Sequence, residues 1–187
     1  MPRIIGGAAS GRRIAVPKAL TTRPTADRAK EGLFGTLADL VDLEGARVAD
    51  FYAGSGAVGL EMVSRGAAHC LLVEASHRVA AGIRKNAADL GFVQAEVVVT
   101  HAERLAAGPP PDGEGYDAIF LDPPYALPDL ELDRVLADLT AHGWLTGGAV
   151  LAVERASRGR GPAWPAGVTA LKHRRYGEAT LWYARAA

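Results

Sequence analysis

The strongest constraint on the fold is a regular alternation of two patterns over residues 47–153. Mainly apolar segments, with charged residues only at or near their ends, occupy 47–51, 69–74, 96–99, 116–122 and 149–153, and stretches with apolar residues at helical spacing lie between them at 57–65, 76–90 and 129–140. Strands that are apolar along their whole length and alternate with amphipathic helices are typical of a parallel sheet covered on both faces. The pattern therefore predicts a doubly wound, Rossmann-like α/β fold.

The two ends of the chain depart from this alternation. Two further apolar runs, 168–172 and 180–183, have no helix between them, so we expect them to pair as an antiparallel C-terminal hairpin. Residues 1–24 are rich in glycine and arginine, and helical spacing begins at residue 25. We expect a basic N-terminal arm over 1–24, a hairpin being one form it could take, and one domain over 25–187.

The composition excludes several classes of protein. A chain of 187 residues with 49% apolar and 22% charged residues is the size and type of one globular domain. The single cysteine, Cys70, excludes an intrachain disulfide and a multi-cysteine zinc site, and the five histidines have no metal-site spacing. The start has no apolar signal run, and no stretch reaches the roughly 20 apolar residues of a membrane span. We expect a cytoplasmic, monomeric protein without a metal.

The charges are distributed unevenly, although the net charge is zero. Residues 1–30 carry a net charge of +6, residues 155–187 again +6, and the middle of the chain −12. Two basic ends could form one phosphate-facing surface if the fold brings them together, or they could be unrelated surface charge near the termini. The candidate phosphate-binding residues of the first segment are Arg3, Arg12, Arg13, Lys18, Arg23, Arg28 and Lys30.

A glycine-rich turn follows the first predicted strand. Its sequence is Gly54-Ser-Gly56-Ala-Val-Gly59, and an acid, Glu74, ends the next strand twenty positions after Gly54. Glycines let the backbone turn sharply and approach a ligand, and an acid at that place can accept hydrogen bonds from ribose hydroxyls. A strand-to-helix turn needs glycine in any case, but its combination with Glu74 favours a nucleotide-type ligand.

An acid near the end of the first predicted strand limits which nucleotide the glycine turn could bind. Asp50 would repel a pyrophosphate at the start of the next helix, whereas it could neutralise the ammonium or sulfonium of S-adenosylmethionine. The run from Asp50 to Gly56 resembles the first motif of class I methyltransferases, which implies that Glu74 binds the ribose and that Glu103, after the third strand, lies by the adenine. The cofactor-binding residues implied by this resemblance are Asp50, Tyr52, Gly54, Gly56, Glu74 and Glu103.

The fourth predicted strand ends in Asp122-Pro123-Pro124-Tyr125. This turn would face the same crevice as the glycine turn, because ligands of open α/β sheets bind outside the carboxyl ends of the strands. Two prolines make the segment stiff. The Asp122 carboxylate and the Pro123 carbonyl could then hold the two N–H groups of an exocyclic amine and turn its lone pair toward a methyl donor, while Tyr125 stacks on the base. The structural alternative is a rigid turn in which Asp122 caps the following helix.

The tetrapeptide resembles the signature of methyltransferases that act on the amino groups of nucleobases. Three N-terminal runs extend the resemblance to the RsmD family: Arg3-Ile-Ile-Gly-Gly, Gly11-Arg-Arg and Thr22-Arg-Pro-Thr25-x-Asp27-Arg28. The closing Tyr176-Gly-Glu-Ala-Thr-Leu181 is also similar. The resemblance implies a bacterial enzyme that methylates guanine N2 in small-subunit ribosomal RNA, with an arm that packs over the cofactor and helps to hold RNA.

Other functions stay open at this point. The same turn would serve an adenine-N6 methyltransferase of DNA or RNA, and the glycine fingerprint alone would serve an NAD-dependent oxidoreductase. A third class is an RNA-binding module with a degenerate pocket, against which the intact Asp122-Pro123-Pro124-Tyr125 argues. Carbon methylation of a pyrimidine needs a cysteine nucleophile in the crevice, and Cys70 lies instead at the start of an apolar strand.

Overall fold

The computed structural model describes residues 2–18, 20 and 24–187. The helices are α1 (Pro24–Leu40), α2 (Ala57–Ser64), α3 (His77–Leu90), α4 (Ala102–Ala106) and α5 (Asp129–Ala141). The strands are β1 (Arg47–Phe51), β2 (His69–Glu74), β3 (Ala95–Val99), β4 (Tyr116–Leu121), β5 (Leu145–Ala156), β6 (Val168–Tyr176) and β7 (Ala179–Ala186).

The strands form one sheet in the order β3-β2-β1-β4-β5-β7-β6. The first five strands of that order pair in parallel, and β7 pairs antiparallel with both β5 and β6. The predicted doubly wound α/β fold and its antiparallel C-terminal hairpin are thus confirmed. The order of the strands reverses between β1 and β4, which places a ligand crevice outside the carboxyl ends of these two strands.

Each face of the sheet carries its own core. Apolar side chains of α1, α2 and α3 pack on one face together with Ile4 and Ile14 of the N-terminal segment. Those of α4 and α5 pack on the other face around Trp144. This two-sided burial is the reason that the central strands are apolar at nearly every position.

Residues 2–18 are docked on the first face. Ile4 and Ile14 are fully buried, and the backbone pairs around them through Ile4 N–H to the Arg12 carbonyl at 2.9 Å and Ile14 N–H to the Pro2 carbonyl at 2.9 Å. The buried carboxylate of Glu61 on α2 accepts backbone N–H groups of Ile5 and Gly6 at 2.8 Å. The described part of the arm is therefore packed into the same core as the rest of the chain, and the division at residue 24 stays a prediction.

Several elements differ from their predicted bounds. The sequence indicated no helix at 102–106, where α4 lies, and it indicated shorter strands than β5 and β6. The added parts of these two strands contain charged residues such as Glu154, Arg155 and Arg174, whose backbones pair with β7. The apolar run of β5 marks its buried middle, whereas that of β6 lies at the start of an edge strand whose side chains are mostly exposed. No helix within the described residues is long and apolar enough to cross a membrane.

Candidate active site

A cleft of about 1450 Å³ opens at the carboxyl ends of β1, β2 and β4. It brings together most of the residues that the two sequence motifs predicted, namely Tyr52, Gly54, Glu74, Glu103, Asp122, Pro123, Pro124 and Tyr125. Asp50 lines an adjoining cavity that shares Tyr52, Gly54 and Asp122 with the cleft. Gly56 is buried at the start of α2 and lines neither space.

The glycine turn uses backbone angles that favour glycine. Gly54 has a φ of 57° and Gly56 a φ of 82°, both left-handed. A Cβ atom on Gly56 would also lie 2.9 Å from the Ile83 side chain of α3, so the packing excludes a larger residue there. Tyr52 shares the left-handed conformation with a φ of 70°, which is uncommon outside glycine and typical of functional sites. Its hydroxyl donates to Glu103 Oε1 at 3.2 Å, which joins the turn to α4.

Glu74 holds the glycine turn in place from the end of β2. Its Oε2 accepts the backbone N–H of Gly54 at 2.9 Å, and its Oε1 accepts that of Ser76 at 3.0 Å. Each carboxylate oxygen has a second lone pair. Glu74 can therefore accept further hydrogen bonds from a ligand while it supports the turn.

Asp50 is a buried carboxylate with one unsatisfied oxygen. The residue is 1% exposed, its Oδ2 accepts the Gly59 N–H at 2.9 Å, and its Oδ1 has no hydrogen-bond partner within the described chain. Burial, opposed by the hydrogen bond from Gly59 and assisted by the charge of Glu74, raises the pKa of Asp50 to about 7. A cationic group in the adjoining cavity would offset the cost of burying this charge.

The turn after β4 presents its polar groups to the cleft. Asp122 is exposed on the cleft side, Pro123 is buried, and Tyr125 is 50% exposed. The Asp122 side chain has no hydrogen bond to any described residue, so the alternative of a helix cap is not realised among them. Partial withdrawal from water in the cleft raises the pKa of Asp122, the carboxylates of Glu154 and Asp50 raise it further, and Arg155 acts in the opposite direction.

Arg155, a residue that no sequence motif indicated, anchors this turn from β5. It is buried at 6% exposure, and its guanidinium donates to the Pro124 carbonyl at 3.1 Å, the Leu127 carbonyl at 2.8 Å and Asp129 Oδ1 at 3.1 Å. Its neighbour Glu154 lines both the cleft and the adjoining cavity. The only signal in the sequence is a charged pair directly after the apolar run that marks β5.

The predicted phosphate-binding residues do not share one environment. Arg3, Arg12, Arg13, Lys18 and Arg28 are exposed, whereas Arg23 lies outside the described residues. Lys30 is only 8% exposed, donates to the Arg3 carbonyl at 2.7 Å and pairs with Glu61 at 3.4 Å. Because its ammonium is engaged inside the protein, Lys30 is not part of an exposed basic surface.

The two basic segments both approach the cleft. Pro2 and Val16 of the N-terminal segment line the cavity around Asp50. Strand β6 runs parallel to β5, because both pair antiparallel with β7, so its last residues lie at the same edge of the sheet as the cleft. Arg174 and Arg175 are exposed there, and Gly177 beside them lines the cleft.

The chain is similar to known proteins both in sequence and in structure. A family model described as Conserved hypothetical protein 95 matches residues 2–185. Ribosomal RNA small subunit methyltransferase D of Escherichia coli (strain K12) is 38% identical over 164 residues, 88% of this chain and 79% of that protein. The putative rRNA methyltransferase YlbH of Bacillus subtilis is 34% identical over 137 residues, 73% of each chain.

Among solved structures, the putative methyltransferase yhhF from Escherichia coli superposes with a TM-score of 0.85 at 33% identity, covering 99% of this chain and 98% of that one. Similarity in sequence and in structure thus extends over nearly the whole chain, the N-terminal segment and both cleft motifs included. The chain therefore belongs to the RsmD family, the family of ribosomal RNA small subunit methyltransferase D.

Proposed function

We propose that the protein transfers the methyl group of S-adenosylmethionine to the exocyclic N2 amine of a guanine in small-subunit ribosomal RNA. The observation that carries the proposal is the Asp122 carboxylate, which has no hydrogen bond to any described residue and opens into the cleft that also holds the glycine turn. The names of the relatives in Escherichia coli and Bacillus subtilis, both rRNA methyltransferases, support the class of substrate.

Two observations indicate that the cavity around Asp50 fits S-adenosylmethionine. Asp50 Oδ1 is buried without a hydrogen-bond partner in the described chain, and the left-handed Gly54 lines the cavity with no side chain of its own. When bound, S-adenosylmethionine supplies an electrophilic methyl group on a sulfonium. Asp50 would face its positive charge, and Glu74 would accept hydrogen bonds from its ribose. Tyr52 and Glu103, joined by their hydrogen bond, would border its adenine.

The turn after β4 prepares the amine for transfer. An exocyclic amine is a weak nucleophile because its lone pair is delocalised into the base. The Asp122 carboxylate and the Pro123 carbonyl accept its two N–H groups and so orient the lone pair, which is catalysis by positioning and electrostatics. The amine nitrogen would take the methyl group from the sulfonium, which would leave as neutral S-adenosylhomocysteine, and the amine would lose a proton. Asp122, whose raised pKa makes it a better base, is the acceptor already hydrogen-bonded to that proton. Tyr125 offers its ring for stacking on the base.

The exposed arginines of the N-terminal segment would hold the phosphates of the RNA. Arg3, Arg12 and Arg13 cluster where the segment pairs with itself. Arg174 and Arg175 would extend this surface on the other side of the cleft. The partner is ribosomal RNA or the small ribosomal subunit, and we propose that the protein meets it as a monomer in the cytoplasm.

Replacement of Asp122 tests the catalytic turn. Loss of one preorganised electrostatic partner typically lowers turnover by about 10²-fold, so Asp122→Ala should lose at least that much turnover while S-adenosylhomocysteine affinity stays within a few-fold. Methyl transfer to ribosomal RNA from a strain that lacks the enzyme is the assay. Asp39→Ala, an exposed aspartate of α1, is the matched control. Near-normal turnover of Asp122→Ala would exclude the proposed role.

Mapping the product tests the substrate. Nucleoside mass spectrometry of the RNA methylated by the wild-type protein should find N2-methylguanosine at one position. N6-methyladenosine would instead identify an adenine methyltransferase. Calorimetry completes the comparison, because binding of NAD without S-adenosylhomocysteine would identify an oxidoreductase.

The RNA-binding surface is tested through its salt dependence. Each neutralised phosphate releases counterions, so Arg3→Gln/Arg12→Gln/Arg13→Gln should weaken RNA binding and reduce the log–log salt slope by about two units. These side chains are exposed, so the buried Ile4 and Ile14 keep the segment docked. Arg134→Gln, on the opposite face of the sheet and 70% exposed, is the control. An unchanged slope in the triple variant would remove the N-terminal segment from the RNA surface.

A further inference from the structure

Glu154 is an acidic residue that lines the cleft and has no hydrogen-bond or ion-pair partner among the described residues. It is half-buried near the end of β5, and its carboxylate makes no hydrogen bond or ion pair with any residue in the described ranges. Withdrawal of a carboxylate from water without a hydrogen bond costs free energy. Burial accordingly raises the pKa of Glu154. A ligand that donates a hydrogen bond would offset this cost, which points to a binding role.

The register of the sheet sets Glu154 beside Asp122. Leu121 of β4 pairs with Val153 of β5, so the next residues along the two parallel strands, Asp122 and Glu154, stand opposite each other about 5 Å apart in the backbone. Side chains alternate along a strand, and Phe120 and Ala152 both belong to the core of α1–α3. Asp122 and Glu154 therefore emerge on the same face, and both line the cavity around Asp50.

Two adjacent carboxylates can accept the hydrogen bonds that the Watson–Crick edge of guanine donates. Guanine carries hydrogen-bond donors on two neighbouring atoms, the exocyclic N2 amine and the ring N1–H, whereas adenine N1 is an acceptor that a carboxylate would repel. Base-modifying enzymes read an extruded base through this Watson–Crick edge. A site whose polar groups would be left unpaired rejects the wrong ligand far more strongly than an apolar pocket does.

We propose that Glu154 accepts the hydrogen bond from N1–H of the target guanine and thereby selects guanine over adenine, while Asp122 holds the N2 amine. This inference rests on the proposed guanine-N2 methylation and adds to it a residue that determines the base. Arg155 is not available for this task, because its guanidinium is occupied by the turn after β4.

The test compares two bases at the mapped position of an RNA substrate, guanosine and 2-aminopurine. The second keeps the exocyclic amine but has an acceptor at N1. We expect wild-type kcat/KM to favour guanosine by at least about tenfold. In Glu154→Gln, kcat/KM for guanosine should fall by about tenfold or more, and the preference for guanosine should shrink by a similar factor. We expect this smaller preference because the glutamine amide can donate a hydrogen bond to the N1 acceptor of 2-aminopurine. Both RNAs are compared in each protein, so the missing O6 of 2-aminopurine affects both ratios alike.

A second readout needs no turnover. The fluorescence of 2-aminopurine rises when the base leaves the stack, so titration in the presence of S-adenosylhomocysteine reports its binding in the cleft. Glu154→Gln should bind this RNA more tightly than the wild type does. Glu96→Gln, an exposed glutamate on the edge strand β3, should match the wild type in both measurements.

Three outcomes would contradict the role of Glu154, and the measurements distinguish them. If the wild type used 2-aminopurine as well as guanosine, N1–H would not be read and the role of Glu154 would be overturned without any variant. If Glu154→Gln lost the same factor on both RNAs, its effect would be structural and the inference would again be overturned. If the wild type methylated no guanosine at all, the proposed function itself would fail, and the inference with it.

Discussion

Arg155 offers the sharpest test of how the catalytic turn is held. Its buried guanidinium joins the Pro124 and Leu127 carbonyls to Asp129 at the start of α5 through bonds of 2.8–3.1 Å. Breaking a buried ion pair costs about 3–5 kcal/mol, but part of the Asp129 side chain is exposed. We therefore expect Arg155→Ala to lower the free energy of unfolding by about 3 kcal/mol, or the Tm by about 6–12 °C.

Arg155→Lys separates the effect on catalysis from that on folding. A lysine keeps the charge but cannot reach three acceptors with the planar fork of arginine, so the turn should shift while the protein stays folded. Displacement of a reacting group by about 1 Å can cost about 10²-fold in rate. Turnover should fall by that order, with S-adenosylhomocysteine affinity within a few-fold of wild type, because the glycine turn lies on other strands.

The measurements are kcat and KM for RNA methylation, cofactor affinity by calorimetry, and a thermal melt. Arg160→Ala is the matched control, since this exposed arginine also pairs with Asp129 and with Asp133 but contacts no carbonyl of the turn. It should leave kcat unchanged and have little effect on the Tm, because exposed ion pairs contribute little to stability. A wild-type kcat for a folded Arg155→Lys would refute the reasoning and show that the two prolines alone keep the turn in place.

Two predictions concern the cofactor. Because the pKa of Asp50 is about 7, its carboxyl group is mostly protonated below that pH, and a cationic ligand then has to displace the proton. S-adenosylmethionine affinity should therefore be constant above pH 7 and fall by up to about tenfold per unit below it, and calorimetry should find no such dependence in Asp50→Asn. Glu74→Ala removes the ribose acceptor and the support of the Gly54 N–H. It should weaken cofactor binding by at least about tenfold and leave RNA affinity unchanged, with Glu74→Gln intermediate. An equal loss of both affinities would make Glu74 structural.

The strands, most helices and both cleft turns could be predicted from the sequence because each depends on a local pattern. A central strand of a doubly wound sheet is buried on both sides, so it shows as an unbroken apolar run. The glycine turn can be recognised in the sequence equally well, because Gly54 and Gly56 adopt positive φ angles that other residues avoid. The carboxyl ends of parallel strands share one edge of the sheet, so Asp50 and Asp122 could be assigned to one crevice before any coordinates.

Tertiary structure alone decided which charged residues have partners. In the sequence, Lys30 is one more basic residue of a basic segment. Only the docking of residues 2–18 against α2 places it beside the buried Glu61. Glu154 and Arg155 are neighbours in sequence that alternate across a strand, so one lines the cleft of Asp122 and the other anchors the turn from behind. These contacts join residues that lie 26 to 31 positions apart in the sequence. The packing of these segments against each other sets the contacts, and the local pattern of one segment does not specify which residue of another it will meet.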